Sequence, residues 1–191
     1  MPRHSLRLAA PALAALVLGS AAPRTARAQD ALDAKSAAYV RDQYLADLDT
    51  VHTKVMALAA AIPADKYAWR PVAGVRSVSE ALMHVVGEWY FFTPMSVAAK
   101  PPADFGSPRE KLPALEKITD KTQVMAELER SWAHCRAQLS TVDAAQLTGR
   151  YKPWDATLAQ SAFVMSGDLH EHLGQLIVYA RSVGVKPPWS K

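Results

Sequence analysis

TLAQSAFVMSGDLHEHLGQLIVYARSVG, residues 157 to 184, is the stretch whose periodicity decides the fold. Leu158, Ala162, Met165, Leu169, Leu176 and Tyr179 recur by threes and fours, the period of one helix face, and His172 sits in the same series. Thr157 and Gln160 form a box-like helix start, and Gly184 followed by Lys186-Pro187-Pro188 closes the segment as glycine and proline do after helix C-termini.

Working outward, three more segments carry the helical period. Tyr44, Leu48, Val51, Val55, Leu58 and Ile62 define one apolar face, which predicts a helix from about Leu32 to Ile62, stopped by Pro63. Asp65 to Gly74 reads as a loop, and Ser77-Val78-Ser79-Glu80 is a capping box that opens a second helix running to about Val97. Its stripe of Val78, Leu82, Val85, Trp89 and Phe92 is joined by Val86, Tyr90 and Phe91 on other faces, so this helix is expected to be buried on more than one side. Asp120 opens the third, which turns Val124, Leu128, Trp132, Cys135, Leu139 and Val142 inward and ends near Thr141. Between the second and third, Lys100 to Lys117 holds four prolines and Gly106, too many breakers for a helix, and reads as a long connection. A polar turn spans Gly149 to Asp155, and no convincing strand or repeat appears. The expectation is an all-α four-helix bundle forming one domain over residues 29–191.

Half of the 191 residues are apolar, with one cysteine, eight glycines and thirteen prolines, which excludes a collagen, a low-complexity chain and a disulfide scaffold. The 22 Lys and Arg exceed the 18 Asp and Glu, but Arg3, Arg7, Arg24 and Arg27 all lie in the first 28 residues, which carry no acid; the remainder balances at 18 against 18. That segment has a basic head, an apolar run from Leu8 to Ala22, and Ala26-Arg27-Ala28 ahead of Gln29, the pattern of a secretory signal peptide cleaved near Ala28. At 15 residues, Pro11 among them, the run falls short of the roughly 20 needed for a stable membrane anchor. The expected location is periplasmic or secreted. With the basic excess assigned to the signal, a nucleic-acid partner loses its compositional support. The single Cys135 forbids an internal disulfide.

Bundles build their sites from side chains facing the core. Asp168 and His172, four apart on the last helix, lie about 40° apart around it and about 6 Å along it, so they share a face. An imidazole on an apolar seam needs a partner, because an unsatisfied buried polar group costs about 1–3 kcal/mol. The pair therefore suits either a carboxylate–imidazole hydrogen bond or two ligands of a metal ion. His170 points about 200° away from His172 and reads as solvated. On the second helix His84 has Glu80 and Glu88 one turn to either side, a stripe that faces water or borders the interior.

The ordered set of Ile62-Pro63, Tyr67-Ala68-Trp69-Arg70-Pro71, Ser77-Val78-Ser79-Glu80 leading to His84, and His172-Leu173-Gly174-Gln175 resembles the DinB-like family of bacterial four-helix metal-binding proteins, whose superfamily includes thiol-dependent transferases and isomerases. The resemblance implies one divalent ion bound by His84, Asp168 and His172. Many members have histidine where this chain has Asp168, so the implied set is two imidazoles and one carboxylate. Three protein ligands with an open position suit a catalytic ion that holds water or a thiolate. Zn2+ or Ni2+ comes first, and Fe2+ or Mn2+ accepts the same donors. Glu88 and Glu171 are the nearest side chains for a general base, and both equally fit a solvated surface.

His52, beside Leu48 and Val55, reads as packed or half-exposed, and Cys135 as a small core residue that makes no pair with His134. The five tryptophans read as core and loop anchors that could line a pocket, and Arg70 and Arg181 as cations within reach of an anionic substrate. Two functions follow. One is a metal-dependent thiol transferase or hydrolase acting on a small molecule, with a thiol as cosubstrate. The other is a non-catalytic binding or scaffold protein with a structural metal or an Asp–His network. The apolar composition is compatible with a homodimer.

Overall fold

In a computed structural model of the chain, residues 33–143, 146–147, 149–151 and 156–190 are described. The export signal expected over residues 1–28 lies outside them, as does Trp154. Helix α1 spans Ala34–Ala61, its first turn capped by the Asp33 carboxylate, which accepts from the amides of Lys35 and Ser36. Its last carbonyls are taken by Lys121, whose Nζ donates to the oxygens of Ala60 and Ile62 at 2.7 Å each. Helix α2 covers residues 78–96 and begins with the expected capping box: the Ser77 hydroxyl accepts from the Glu80 amide, and the Glu80 carboxylate from the Ser77 amide. Within α2 one wide π turn, Glu88–Phe92, separates the α-helical stretches Val78–Gly87 and Thr93–Ser96. Such insertions favour functional sites because they re-aim the side chains around them.

Helix α3, Pro108–Leu115, corrects the expectation of an unbroken connection and raises the helix number among the described residues from four to five. Its prolines are tolerable for local reasons. Pro108 occupies the first turn, where amides have no intrahelical acceptor anyway, and Pro113 forfeits one bond in a helix only eight residues long. Packing supplies the rest: the tip of the Leu112 side chain lies 2.7 Å from where a Cβ on Gly87 would sit, so α3 packs closely on α2 at a position where a larger residue would have to push that tip aside. Helix α4 spans Lys121–Ser140 behind its Asp120 cap, and α5 spans Leu158–Ser182 behind the Thr157–Gln160 capping box. A two-residue antiparallel ladder, Arg150–Tyr151 with Ala156–Thr157, precedes α5 and is the minor strand element that periodicity could not register.

Helices α1 and α5 pack together, α2 packs on α4, and the second pair closes on the first. The inward series named from the sequence form the core, with Leu48, Val51, Val55, Leu58, Leu82, Leu128, Leu169 and Leu176 fully buried. Cys135 is fully buried among them. Alongside this core, α2 and α5 run next to each other. No described helix is long and apolar enough to cross a membrane.

Candidate metal centre

The α2 and α5 seam brings His84 and His172 edge to face, ring centroids 4.7 Å apart and planes at 81°. One turn on from His84, Glu88 lies on the same helix face at the start of the π turn, its Oε1 3.4 Å from His84 Nε2. Ligand atoms of His84, Glu88 and His172 all lie within 4.8 Å of one another. Asp168 stands one turn before His172 as expected, Oδ2 3.6 Å from its Nε2, and is more exposed than the other three. The structure thus brings His84 and His172 together with Glu88, while Asp168 meets His172 and stands outside this tightest group.

Glu88 is the electrostatic centre of the arrangement, since its side chain is only 7 % exposed and, among the described residues, has no lysine or arginine in contact. Burial pushes its carboxyl up to about 8, the nearby charge of Asp168 adds to the rise, and the more distant Arg76 opposes it. His84 is held below the ordinary histidine value, first by burial and then by the positive fields of Arg76 and His172, against Glu116. Near neutral pH the pair is therefore a protonated acid beside a neutral imidazole. Burial favours the neutral acid, so a divalent ion bound here would displace the Glu88 proton.

His84 is oriented from its other side. Its Nδ1 is 3.2 Å from Oε1 of Glu116, an oxygen that also accepts from Arg76 Nε at 3.1 Å and Nη2 at 3.0 Å. An oxygen serving as acceptor for a guanidinium takes the Nδ1 proton of the ring as well, which leaves the Nε2 lone pair directed at Glu88. This is the arrangement in which metal-bound histidines are held by an outer carboxylate. Sequence reasoning missed both Glu116 and Arg76. Glu116 follows the proline-rich segment and lies 32 residues from His84, so no helical spacing links them. Beside them, a cleft of about 370 Å3 opens against Arg76, Met83, His84, Phe92 and Leu112.

The donor set fits a divalent ion. Ligands at about 2.1 Å in a tetrahedral shell stand about 3.4 Å apart, the separation already found between His84 and Glu88. Two imidazole nitrogens and a carboxylate oxygen match the chemistry of Zn2+ and its neighbours. A comparison with protein families matches the DinB superfamily over residues 47–176, which takes in α2 to α4 whole, most of α1 and α5, and all four side chains. The chain belongs to the DinB superfamily. No curated protein and no solved structure matches it.

The remaining polar residues of this DinB-superfamily chain lie elsewhere. His52 is stacked on Trp132 at 4.8 Å and meets Trp89 at 5.5 Å, a packed histidine outside the cluster. His170 is exposed yet partnered, its Nε2 2.9 Å from Asp47 Oδ1, where solvation alone was expected. Glu171 is exposed and turned away from the site, so of the two expected base candidates only Glu88 belongs to it. Glu80 and Arg70 pair with each other at 2.8 Å, which explains the arginine without a substrate. His134 meets the Lys100 carbonyl at 3.0 Å and makes no pair with Cys135. Arg181 lies exposed near the C-terminal end of α5.

Proposed function

We propose that the protein holds one divalent ion between α2 and α5 through His84, His172 and a carboxylate, as an exported metalloprotein acting on a small molecule. The observation that carries this reading is the convergence of His84, Glu88 and His172 from two helices within 4.8 Å. Glu88 is the nearest carboxylate, and Asp168, expected from the family resemblance, stands beside His172 as the second. Zn2+ or Ni2+ suits the donors best, with Fe2+ and Mn2+ accepted by the same set. When bound, such an ion supplies either a water acidified to a pKa of about 7 or a site that holds a thiol as thiolate. The chain's own part is to fix the two imidazoles: Arg76 holds Glu116, and Glu116 holds the His84 ring with Nε2 inward. The cleft at Met83, Phe92 and Leu112 offers an apolar wall for a small substrate. A thiol transferase or a hydrolase fits this arrangement, and the secretory pattern of residues 1–28 supports a periplasmic or secreted setting.

Elemental analysis of protein purified without a histidine tag tests the reading. One divalent ion per wild-type chain and none in His172→Ala is the expected result, and equal metal in both removes the assignment. Replacing Glu88 by Gln and Asp168 by Asn separately identifies the third donor, since the one that binds costs the larger part of the affinity.

A further inference from the structure

Helices α1 and α5 leave an open cleft of about 340 Å3 between them, lined by residues that the metal centre does not use. Where the cleft opens, α5 presents Ala159 and Ala162, side chains too short to fill the space between two helices. The volume falls within the range of small-molecule sites, which begins at about 300 Å3. Tyr39 of α1 and Phe163 of α5 line the cleft and stay 64 % and 72 % exposed, so two large aromatic side chains border one apolar hollow.

The other lining is polar. Asp47, eight residues after Tyr39 and so about 12 Å further along α1, brings a carboxylate to the same cleft. That carboxylate is held in place from α5: Ser166 Oγ donates to its Oδ2 at 2.5 Å, and His170 Nε2 to its Oδ1 at 2.9 Å. One bond to each oxygen fixes the carboxylate, and with about four acceptor positions in all, each oxygen keeps a second. Gln43, one turn before Asp47, adds an amide oxygen to the lining. No lysine or arginine lines the cleft among the described residues. The nearest arginine in sequence, Arg41, is engaged by the Asp42 carboxylate and the Val142 carbonyl. An oriented carboxylate with free acceptor positions, in an apolar cleft that holds no cation of its own, is complementary to a positive group carrying N–H donors.

We infer that this cleft binds a small organic ammonium ion, its N–H groups on Asp47 and its apolar body along Ala159, Ala162 and the Phe163 ring. The charge of Asp47 repels an anion of the same shape, and an uncharged analogue forfeits the charge-assisted bond. The site is separate from that of the divalent ion and does not rest on it.

Benzylammonium is the probe, with benzyl alcohol and benzoate as its neutral and anionic counterparts. Isothermal titration of the full chain should show one site for benzylammonium with a Kd of about 1 mM or tighter, within what eight non-hydrogen atoms support. Benzyl alcohol should bind at least tenfold more weakly, and benzoate should not bind measurably. The benzylammonium site should persist in excess chelator, because an amine coordinated to the metal would be lost with it. Asp47→Asn, which keeps an acceptor for Ser166 or His170 and removes the charge, should weaken binding at least tenfold. Phe163→Ala, an exposed position, should weaken it about three- to tenfold. Wild-type melting temperatures in both variants separate a lost site from a lost fold, and the comparison of the three probes on the wild type needs no variant. Equal binding of benzyl alcohol and benzylammonium overturns the inference. So does a benzylammonium affinity that is unchanged in Asp47→Asn or abolished by the chelator, or the absence of any binding at about 10 mM probe.

Discussion

His52 and His84 are both partly buried histidines on long helices, and burial lowers the proton affinity of each, yet only one belongs to a site that can bind an ion. His52 lies between Trp132 and Trp89, and its nearest charged group, Glu129, is 3.8 Å from Nε2, beyond hydrogen-bond range. Its Nε2 is buried without a hydrogen-bond partner. His84 meets a carboxylate on each nitrogen and a second imidazole across the helix seam. Desolvation alone makes a histidine neutral; ligand chemistry begins where a second helix delivers further donors to the same few ångströms. The tryptophan pair turns His52 into core, and the Glu88–His172 convergence turns His84 into a site.

That contrast can be broken first through acid–base linkage. In metal-free protein Glu88 keeps its proton up to about pH 8, while in the unfolded chain it releases it near the ordinary value of 4.5. The folded state then binds the extra proton, so stability declines as pH rises between those two values. At 1.36 kcal/mol per pKa unit the whole loss is about 4–5 kcal/mol. Urea unfolding in chelator from pH 5 to 8 should show wild type losing stability relative to Glu88→Gln as pH rises, the variant itself gaining stability toward neutral pH because His52 and His84 are both held neutral by burial; parallel profiles for the two proteins break the comparison.

The next largest effect concerns the tryptophan-packed histidine. His52→Ala should lose about 2–3 kcal/mol of stability through the cavity left between the rings while keeping its metal, as measured by denaturant unfolding and elemental analysis of one preparation. Loss of metal in this variant would move His52 into the site. The smallest change sharpens the other half of the comparison. Glu116→Ala should weaken metal affinity about 10- to 100-fold, or about 1.4–2.7 kcal/mol, as outer carboxylates on ligating histidines do. Competition with a chromophoric chelator measures it. Glu116→Gln, which still accepts from Nδ1, should recover part of the affinity, and equal affinity in all three proteins would leave Glu116 without a positioning role.

Much of this molecule is legible along the chain, and the illegible parts have identifiable physics. The stripes of α1, α4 and α5 and the caps at Ser77, Asp120 and Thr157 were readable because helix periodicity and capping are set within a few residues. Helix α3 was not. Pro108 and Pro113 speak against it locally, and the contact of Leu112 with Gly87 that favours it lies in the tertiary fold. The π turn was equally silent, since an inserted residue leaves apolar composition unchanged.

At the site the same division holds residue by residue. Asp168 and His172 share a helix face by simple rotation, so their 3.6 Å approach was foreseeable. Glu88 could be named as a neighbour of His84, but its burial and retained proton depend on what α5 and the core place around it. Glu116 and Arg76 leave no local pattern at all.

The amino-acid order by itself determined four of the five described helices, about where they start and stop, and that histidine and carboxylate would share helix faces, because backbone hydrogen bonding and side-chain period act over three or four residues. Only the tertiary structure decided that His84, Glu88 and His172 meet while His52 does not join them. Desolvation and Coulomb interaction depend on distances through space, and those are set when α2, α4 and α5 pack.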